Sequence, residues 1–177
     1  MQKTSPEPVL RVAILTVSDR SARGERLDAT GPMLAEAVKT QKWDIIYQQV
    51  LPDDRLSIEK TLTAWCESGE LDVILTTGGT GFSPRDITPE ATRAVIERDA
   101  PGLAEAMRSA SLAITPHAML SRAAAGIRKN TLIVNLPGNP KAAVENLQVI
   151  LPVLPHAVQL LHESPDAEAG HPFHPAG

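Results

Sequence analysis

Four stretches of this 177-residue chain collect small, acidic and amide-bearing residues at the ends of apolar runs. They are Ser18-Asp19-Arg20, Pro52-Asp53-Asp54, Thr76-Thr77-Gly78-Gly79-Thr80-Gly81 and Leu136-Pro137-Gly138-Asn139-Pro140. The first glycine stretch lacks the terminal lysine of a P-loop and the spacers of a dinucleotide fingerprint. Its glycines still let backbone approach a ligand and turn successive N–H groups toward an anion. Taken alone, it reads equally well as a tight strand-to-helix turn. The residues that follow, Ser83-Pro84-Arg85-Asp86-Ile87-Thr88-Pro89-Glu90, add a cation, carboxylates and hydroxyls, and open a helix whose N-terminus favours anions. As simple helix N-terminal charges, Asp86 and Glu90 would each contribute a few tenths to about 1 kcal/mol, and for Glu90 in isolation that is the better reading. Asp86 differs, because Asp19, Asp53 or Asp54, and Asp86 would share a rim with phosphate-binding glycines. Carboxylates repel phosphates unless a cation stands between them, and Mg2+ is held by one or two carboxylates together with phosphate oxygens. The pattern implies a magnesium nucleotide.

The second glycine stretch precedes a segment of helical period that begins near Lys141. Asn135 and Asn139 carry paired donors and acceptors that suit a heterocycle edge or a phosphate, and each suits equally well the capping of its own loop. Ser121-Arg122 lies in a connection between Thr115-Pro116-His117 and Ala123-Ala124-Ala125-Gly126. Arg122 is a candidate phosphate clamp, or else a surface charge or an intersubunit ion pair. His117, alone after a proline, reads as structural. His171 and His174 read as solvated, because a Pro-rich tail holds no ligand in place.

These residues can meet only if the strands before them end on one edge. Residues 12–17, 43–50, 72–76 and 131–135 read as strands rich in Val and Ile, the first of them buried and the second like it. Helices are expected at 33–39, 55–67, 91–98, 102–114, 141–148 and 153–162, with Thr88 as N-cap and Pro89 at the first helical position of the third. Ile58, Leu62, Trp65 and Cys66 share a face of the 55–67 segment, which makes Cys66 a core residue rather than a nucleophile. Parallel strands need helical crossovers, so the repeated strand-helix units predict a three-layer α/β/α domain with a mostly parallel central sheet. In such a sheet ligands bind beyond the carboxyl ends of the strands. One domain is expected over 9–162, with 1–8 a flexible N-terminus and 163–177 a disordered tail.

Composition narrows the function classes. The net charge of −4 comes without a basic stripe, which argues against a grip on a nucleic-acid backbone. Two Trp, two Phe and one Tyr are too few rings for a base-stacking platform. A lone cysteine rules out an internal disulfide and a four-cysteine zinc site, and suits a reducing compartment. No uninterrupted apolar stretch approaches the roughly 20 residues of a membrane span, and residues 1–8 lack the apolar stretch of a signal peptide. A cytoplasmic protein with no membrane and no nucleic-acid partner is expected.

Three blocks then carry a resemblance. Ile14-Leu15-Thr16-Val17-Ser18-Asp19, the run from Leu75 through Gly81 with Pro84-Arg85-Asp86-Ile87-Thr88-Pro89-Glu90, and Asn135-Leu136-Pro137-Gly138-Asn139-Pro140 together resemble the molybdopterin adenylyltransferase family of molybdenum cofactor biosynthesis. The similarity runs over 9–161. It implies attack by the terminal phosphate of molybdopterin on the α-phosphate of MgATP, giving adenylylated molybdopterin and pyrophosphate. By the same resemblance, Asp53 and Asp86 match the family's required acids and its Mg2+ binders. Gly78, Gly79, Thr80 and Gly81 would hold the adenylate, with Ser18, Asp19 and Glu90 on the nucleotide side. Ser121, Arg122, Asn135, Pro137, Gly138 and Asn139 would line the pterin side. A homotrimer and contact with a molybdenum insertase are further implications. The alternatives are a non-catalytic molybdopterin-binding or scaffold protein of the same family, and a nucleotide pyrophosphate hydrolase.

Overall fold

In the computed structural model, which describes residues 8–163, the apolar runs form strands whose alternate residues feed two separate cores. Strands β1 (Arg11–Val17), β2 (Asp44–Leu51), β3 (Val73–Thr77), β4 (Arg98–Asp99), β5 (Ala125–Arg128) and β6 (Thr131–Leu136) build one sheet in the order β2-β1-β3-β6-β5-β4. The first four in that order are parallel, whereas β5 runs antiparallel to β6, and β4 to β5. Helices are α1 (Asp19–Ala22), α2 (Thr30–Thr40), α3 (Arg55–Glu67), α4 (Thr88–Val95), α5 (Pro101–Leu112), α6 (Pro140–Ile150) and α7 (Leu154–Leu161).

The layering follows from the period of two along each strand. Val12 and Ile14, Val73 and Leu75, and Leu132 and Val134 face Leu34 and Val38 of α2, Met107 of α5, Leu147 of α6 and Val158 of α7. Ala13 and Leu15, Ile74, and Ile133 face Ile58 and Leu62 of α3 and Ala91 and Val95 of α4. Both faces of the central strands are covered, which is why those strands read as continuous rather than alternating apolar runs. The expected three-layer architecture is the one found.

Several expectations need correction. Strand β2 lies at the sheet edge, not in its interior: Asp44, Ile46, Gln48 and Gln49 are exposed, while Tyr47 stacks on Trp65 at 5.5 Å. The helix expected over 91–98 stops at Val95, because Glu97 donates its backbone N–H to Ile127 at 2.8 Å and the chain continues as β4. Helix α2 starts at Thr30 rather than at Met33. The short α1 and strand β5 had no periodic signal. Residues Pro140–Leu161 are long and apolar enough by mean composition to cross a membrane, although Lys141, Glu145 and Asn146 interrupt the run; here it is α6, a 3-10 turn and α7, and it contributes Ala143, Leu147, Ile150, Leu154 and Val158 to the core. The expectations for His171, His174 and the two terminal segments lie outside the described residues, apart from Pro8 and Glu163.

A buried acid pins the amino ends of the strands opposite the candidate site. Asp72, 5 % exposed, accepts the Arg11 backbone N–H at 2.8 Å and the Arg11 Nη2 at 2.8 Å, and His162 Nε2 lies 3.0 Å from its Oδ1. Burial pushes the Asp72 carboxyl up, but its hydrogen bonds with Arg11 outweigh that and hold it below the usual range. A depressed carboxylate stabilises the fold above its unfolded pKa of about 3.9 and loses that contribution as pH falls through the lower folded value. Asp72→Asn is therefore expected to lower the unfolding free energy at pH 7 by about 1–3 kcal/mol and to flatten the decline below pH 4, as read by urea titration at several pH values.

Candidate functional site

The chain goes from β1 outward to β2 and then returns to the other side of β1 as β3. That reversal opens a crevice at the carboxyl ends of β1 and β3, the position where open α/β sheets bind ligands. A cleft of about 590 Å³ occupies it, lined among others by Thr16, Ser18, Asp28, Asp53, Gly78, Gly79, Asp86 and Asn139.

The floor is the first glycine turn. Gly78 and Gly79 have φ of +95° and +64°, and a side chain on Gly78 would collide with the Val17 carbonyl oxygen. Only glycine meets both demands. Thr88, expected as an N-cap, instead sits inside the first turn of α4, where the cap position is Ile87. Its hydroxyl donates to the Gly78 carbonyl at 2.8 Å and its N–H to the Gly79 carbonyl at 3.1 Å, so it fastens the turn to the helix. Gly78 donates its own N–H to the Leu136 carbonyl at 3.2 Å, which removes that amide from a ligand-facing nest.

Two acids on the rim lock one another. The Asp19 N–H donates to Asp53 Oδ2 at 2.9 Å, and the Asp53 N–H donates to Asp19 Oδ1 at 3.0 Å. Arg85 grips Asp19 through Nε at 3.0 Å and Nη2 at 2.7 Å. The carboxyls consequently diverge: the Arg85 hydrogen bond holds Asp19 below the usual carboxylate range, while burial, with the charge of Asp19 adding to it, pushes Asp53 up. The second oxygen of Asp53, Oδ1, lies 3.3 Å from the point where a Cβ on Gly79 would stand. Asp54 is not part of the site, since it caps α3 by accepting the Ser57 N–H at 2.9 Å. Ser18 lines the cleft and also caps α1, accepting from the Ser21 N–H at 3.2 Å. Asp86 is held by the Ser83 N–H, which donates to Oδ2 at 2.9 Å.

A second cleft of about 330 Å³ adjoins the first and is lined by Thr80, Gly81, Arg108, Ser121, Pro137 and Asn139 together with apolar residues such as Leu120. Asn139 lines both clefts and caps α6, its side-chain oxygen accepting the Ala142 N–H at 3.1 Å. The two glycine turns meet between the clefts, where a Cβ on Gly138 would come within 3.2 Å of the Gly78 Cα. Thr77 clips the Pro137 carbonyl at 2.6 Å and Thr30 the Gly138 carbonyl at 3.0 Å.

Besides Asp19, which lines neither cleft, three residues expected to face a ligand are engaged elsewhere. Asn135 is fully buried and donates to the hydroxyls of Thr76 and Thr92 at 2.9 and 2.8 Å, while accepting the Ala124 N–H at 3.1 Å; it is a fastener beneath the floor, not a wall of the second cleft. Arg122 donates to the carbonyls of Gly81 at 2.7 Å and Asp86 at 2.6 Å and pairs with Glu90. This geometry spends the guanidinium on protein groups, and neither Arg122, expected on the pterin side, nor Glu90, expected on the nucleotide side, lines either cleft. The Glu90 carboxyl is pushed up by burial but held below its usual range by Arg122.

Sequence reading missed Asp28, Thr30 and Arg108. Asp28 Oδ1 accepts the N–H groups of Thr30 and Gly31, each at 3.0 Å, and Oδ2 accepts the Thr16 hydroxyl at 2.7 Å. An Asp three residues before Gly31-Pro32 is a capping signal that could have found it. Arg108 props the wall of the second cleft, donating to the Ser121 carbonyl at 3.1 Å, and no local pattern marks it. Cys66 is buried as expected, and burial pushes its thiol up to about 11, so it is not nucleophilic at neutral pH. His117 lines the second cleft and its N–H donates to the Thr115 hydroxyl at 3.3 Å.

No cluster of three or more His, Cys, Asp or Glu side chains able to hold a metal occurs among the described residues. Asp53 and Asp86 both line the first cleft and supply hard oxygen donors to it. That donor set fits a hard divalent ion whose remaining positions come from ligand phosphates and water, and does not fit a soft transition metal.

With this geometry, the chain matches a family described as "Probable molybdopterin binding domain" over residues 13–156. It is 40% identical over 154 residues to a molybdopterin adenylyltransferase of Helicobacter pylori, covering 86% of this chain and 88% of that protein. It is 44% identical over 164 residues to gephyrin of Dictyostelium discoideum, covering 87% of this chain but only 23% of the relative, so it spans under a quarter of that longer protein. The solved structure of the molybdopterin biosynthesis enzyme MoaB from Thermus thermophilus superimposes with a TM-score of 0.83 at 50% identity, covering 89% of this chain and 99% of that one.

The glycine turn gives a direct test. Gly78→Ala places a Cβ against the Val17 carbonyl at positive φ, and is expected to cost more than about 2 kcal/mol in urea unfolding. Gly102→Ala, in α5 with open space around its Cβ position, is expected to change stability by less than about 1 kcal/mol.

Proposed function

This chain belongs to the molybdopterin-binding domain family matched above, and from that premise we propose that it is a molybdopterin adenylyltransferase that transfers AMP from ATP to the terminal phosphate of molybdopterin with release of pyrophosphate. One observation carries the reading: two clefts of different lining meet at a shared wall made of the two glycine turns and Asn139. The acidic cleft takes the nucleotide and the more apolar one the pterin, so the reacting phosphates converge at the seam. A nucleotidyl transfer between two anions needs little covalent help from protein; it needs positioning and charge neutralisation.

Each residue then has a physical task. The glycine turn brings backbone against the nucleotide, and Asn139 fixes the seam. Asp53 and Asp86 hold fixed carboxylate positions, because backbone N–H groups of Asp19 and Ser83 each take one oxygen. Bound there, Mg2+ would supply positive charge to the phosphates. Ser121 and Pro137 border the pterin, with Arg108 propping Ser121, while Gly138, expected on the pterin side, lines the nucleotide cleft. A cytoplasmic homotrimer that passes its product to a molybdenum insertase belongs to the same proposal, and the longer chain of the gephyrin relative is consistent with a partner unit beside such a domain.

Incubation with molybdopterin, ATP and Mg2+ under anaerobic, reducing conditions should yield adenylylated molybdopterin and pyrophosphate. Absence of product removes the proposal, pterin binding without ATP binding would favour a binding-only protein, and breakdown of ATP or ADP-ribose without pterin would favour a hydrolase. Asp86→Asn should lose turnover by more than about 100-fold while retaining pterin affinity, since charge neutralisation acts mainly in the transition state.

A further inference from the structure

The Arg122 guanidinium makes a fork whose tines end on the backbone of the loop that carries Asp86. Nε donates to the Gly81 carbonyl at 2.7 Å and Nη2 to the Asp86 carbonyl at 2.6 Å, and Nη1 pairs with Glu90. Gly81 and Asp86 are the two ends of that loop. Inside it, Asp86 Oδ2 accepts the Ser83 N–H at 2.9 Å and the Asp86 N–H donates to the Ser83 carbonyl at 2.8 Å. The backbone of Arg122 is itself fixed, its N–H donating to the Thr80 carbonyl at 2.9 Å, and the preceding residue, Ser121, borders the second cleft. Glu90, in the first turn of α4, supplies the counter-charge and keeps the fork aimed, with Arg93 4.0 Å away from the same carboxylate oxygen.

We infer that Arg122, aimed by Glu90, is a positioning residue that sets the Asp86 carboxylate for transfer and links the wall of the second cleft to the acid of the first. The inference rests on the adenylyl-transfer reading for its kinetic consequence but not for its structural one. A planar fork can bridge two carbonyls about one loop apart while meeting a carboxylate on its third nitrogen; a lysine ammonium, a compact point charge, cannot hold the two carbonyls in the same geometry. A residue that touched a ligand phosphate directly would behave differently, because a point charge partly serves there. The Asp86 carboxylate is itself tethered by the Ser83 N–H, so removing the fork leaves the loop held by its local turn bonds and by the exposed Arg85–Asp19 ion pair, which does not touch Asp86.

The test combines hydrogen exchange with a double-mutant cycle on the full chain. In Arg122→Ala and Arg122→Lys, exchange of the amides between Gly81 and Thr88 should quicken by at least about tenfold with the sheet amides unchanged. Glu90→Gln should give a smaller effect of the same kind. Turnover should fall by at least about tenfold in both Arg122 variants with KM for ATP and pterin nearly unchanged, and adding Arg122→Ala to Asp86→Asn should cost nothing further. Unchanged exchange in the loop, recovery of turnover by Arg122→Lys, or losses that multiply in the double variant would each overturn the inference. If Arg122→Ala does not fold, Arg122→Lys and Glu90→Gln carry both measurements. A wild-type protein without turnover would remove the function proposed above and leave exchange to decide the tether.

Discussion

The site depends on the absence of side chains at one point, the place where the ends of β1, β3 and β6 come together. Gly78 passes under the Val17 carbonyl with no space for a Cβ, and Gly138 closes on the Gly78 Cα from the other side. Everything around this contact is arranged to keep the turns in place: Thr77 on Pro137, Thr30 on Gly138, Thr88 on Gly78 and the Gly78 amide on Leu136. Hydroxyl groups suit this task, because each satisfies a buried carbonyl that the tight turns leave without a ladder partner. The threonines at strand ends and helix starts are therefore fasteners, and the two clefts exist because the fastened turns form a thin wall between them.

Charge is organised on the same frame. Three carboxylates, Asp28, Asp53 and Asp86, line the first cleft, yet each is committed to backbone N–H donors that hold it still. The Asp19–Asp53 exchange of hydrogen bonds joins the ends of β1 and β2, and Arg85 on Asp19 offsets one of the two charges. Burial leaves Asp53 more reluctant to ionise than a solvated acid, which matches a group that gains from a cation beside it. Part of the chain's modest negative charge is thus collected in the first cleft.

How much could be seen beforehand differs by residue. The central strands were legible because both faces are buried and the apolar runs are unbroken, and the glycine turns because no other residue tolerates such crowding. Asp53 and Asp86 were legible through their position after a strand and a glycine turn. Strand β2 reads as buried from its Val and Ile content but lies at the sheet edge, because edge position depends on pairing order, which local periodicity does not encode. Strands β4 and β5 were invisible because two residues such as Arg98 and Asp99 have no pattern of their own and become a strand only by pairing with Gly126 and Ile127. Asn135, Arg122 and Glu90 carry groups that suit a ligand as well as they suit the protein, so their types could not say which they serve.

By itself the sequence determined the layered α/β class, the edge at which chemistry would collect, and the acids and glycines that would collect there, because those depend on residue type and short spacing. Tertiary structure alone decided that the site is two clefts with a common wall, that Asn135 lies beneath the floor, and that Arg122, paired with Glu90, grips the Asp86 loop. Those outcomes rest on contacts between residues as far as 32 and 108 positions apart, such as Glu90 with Arg122 and Thr30 with Gly138. A hydrogen-bonding group is equally capable of meeting a ligand or a distant backbone carbonyl, and only the packing of the chain fixes which partner is within reach.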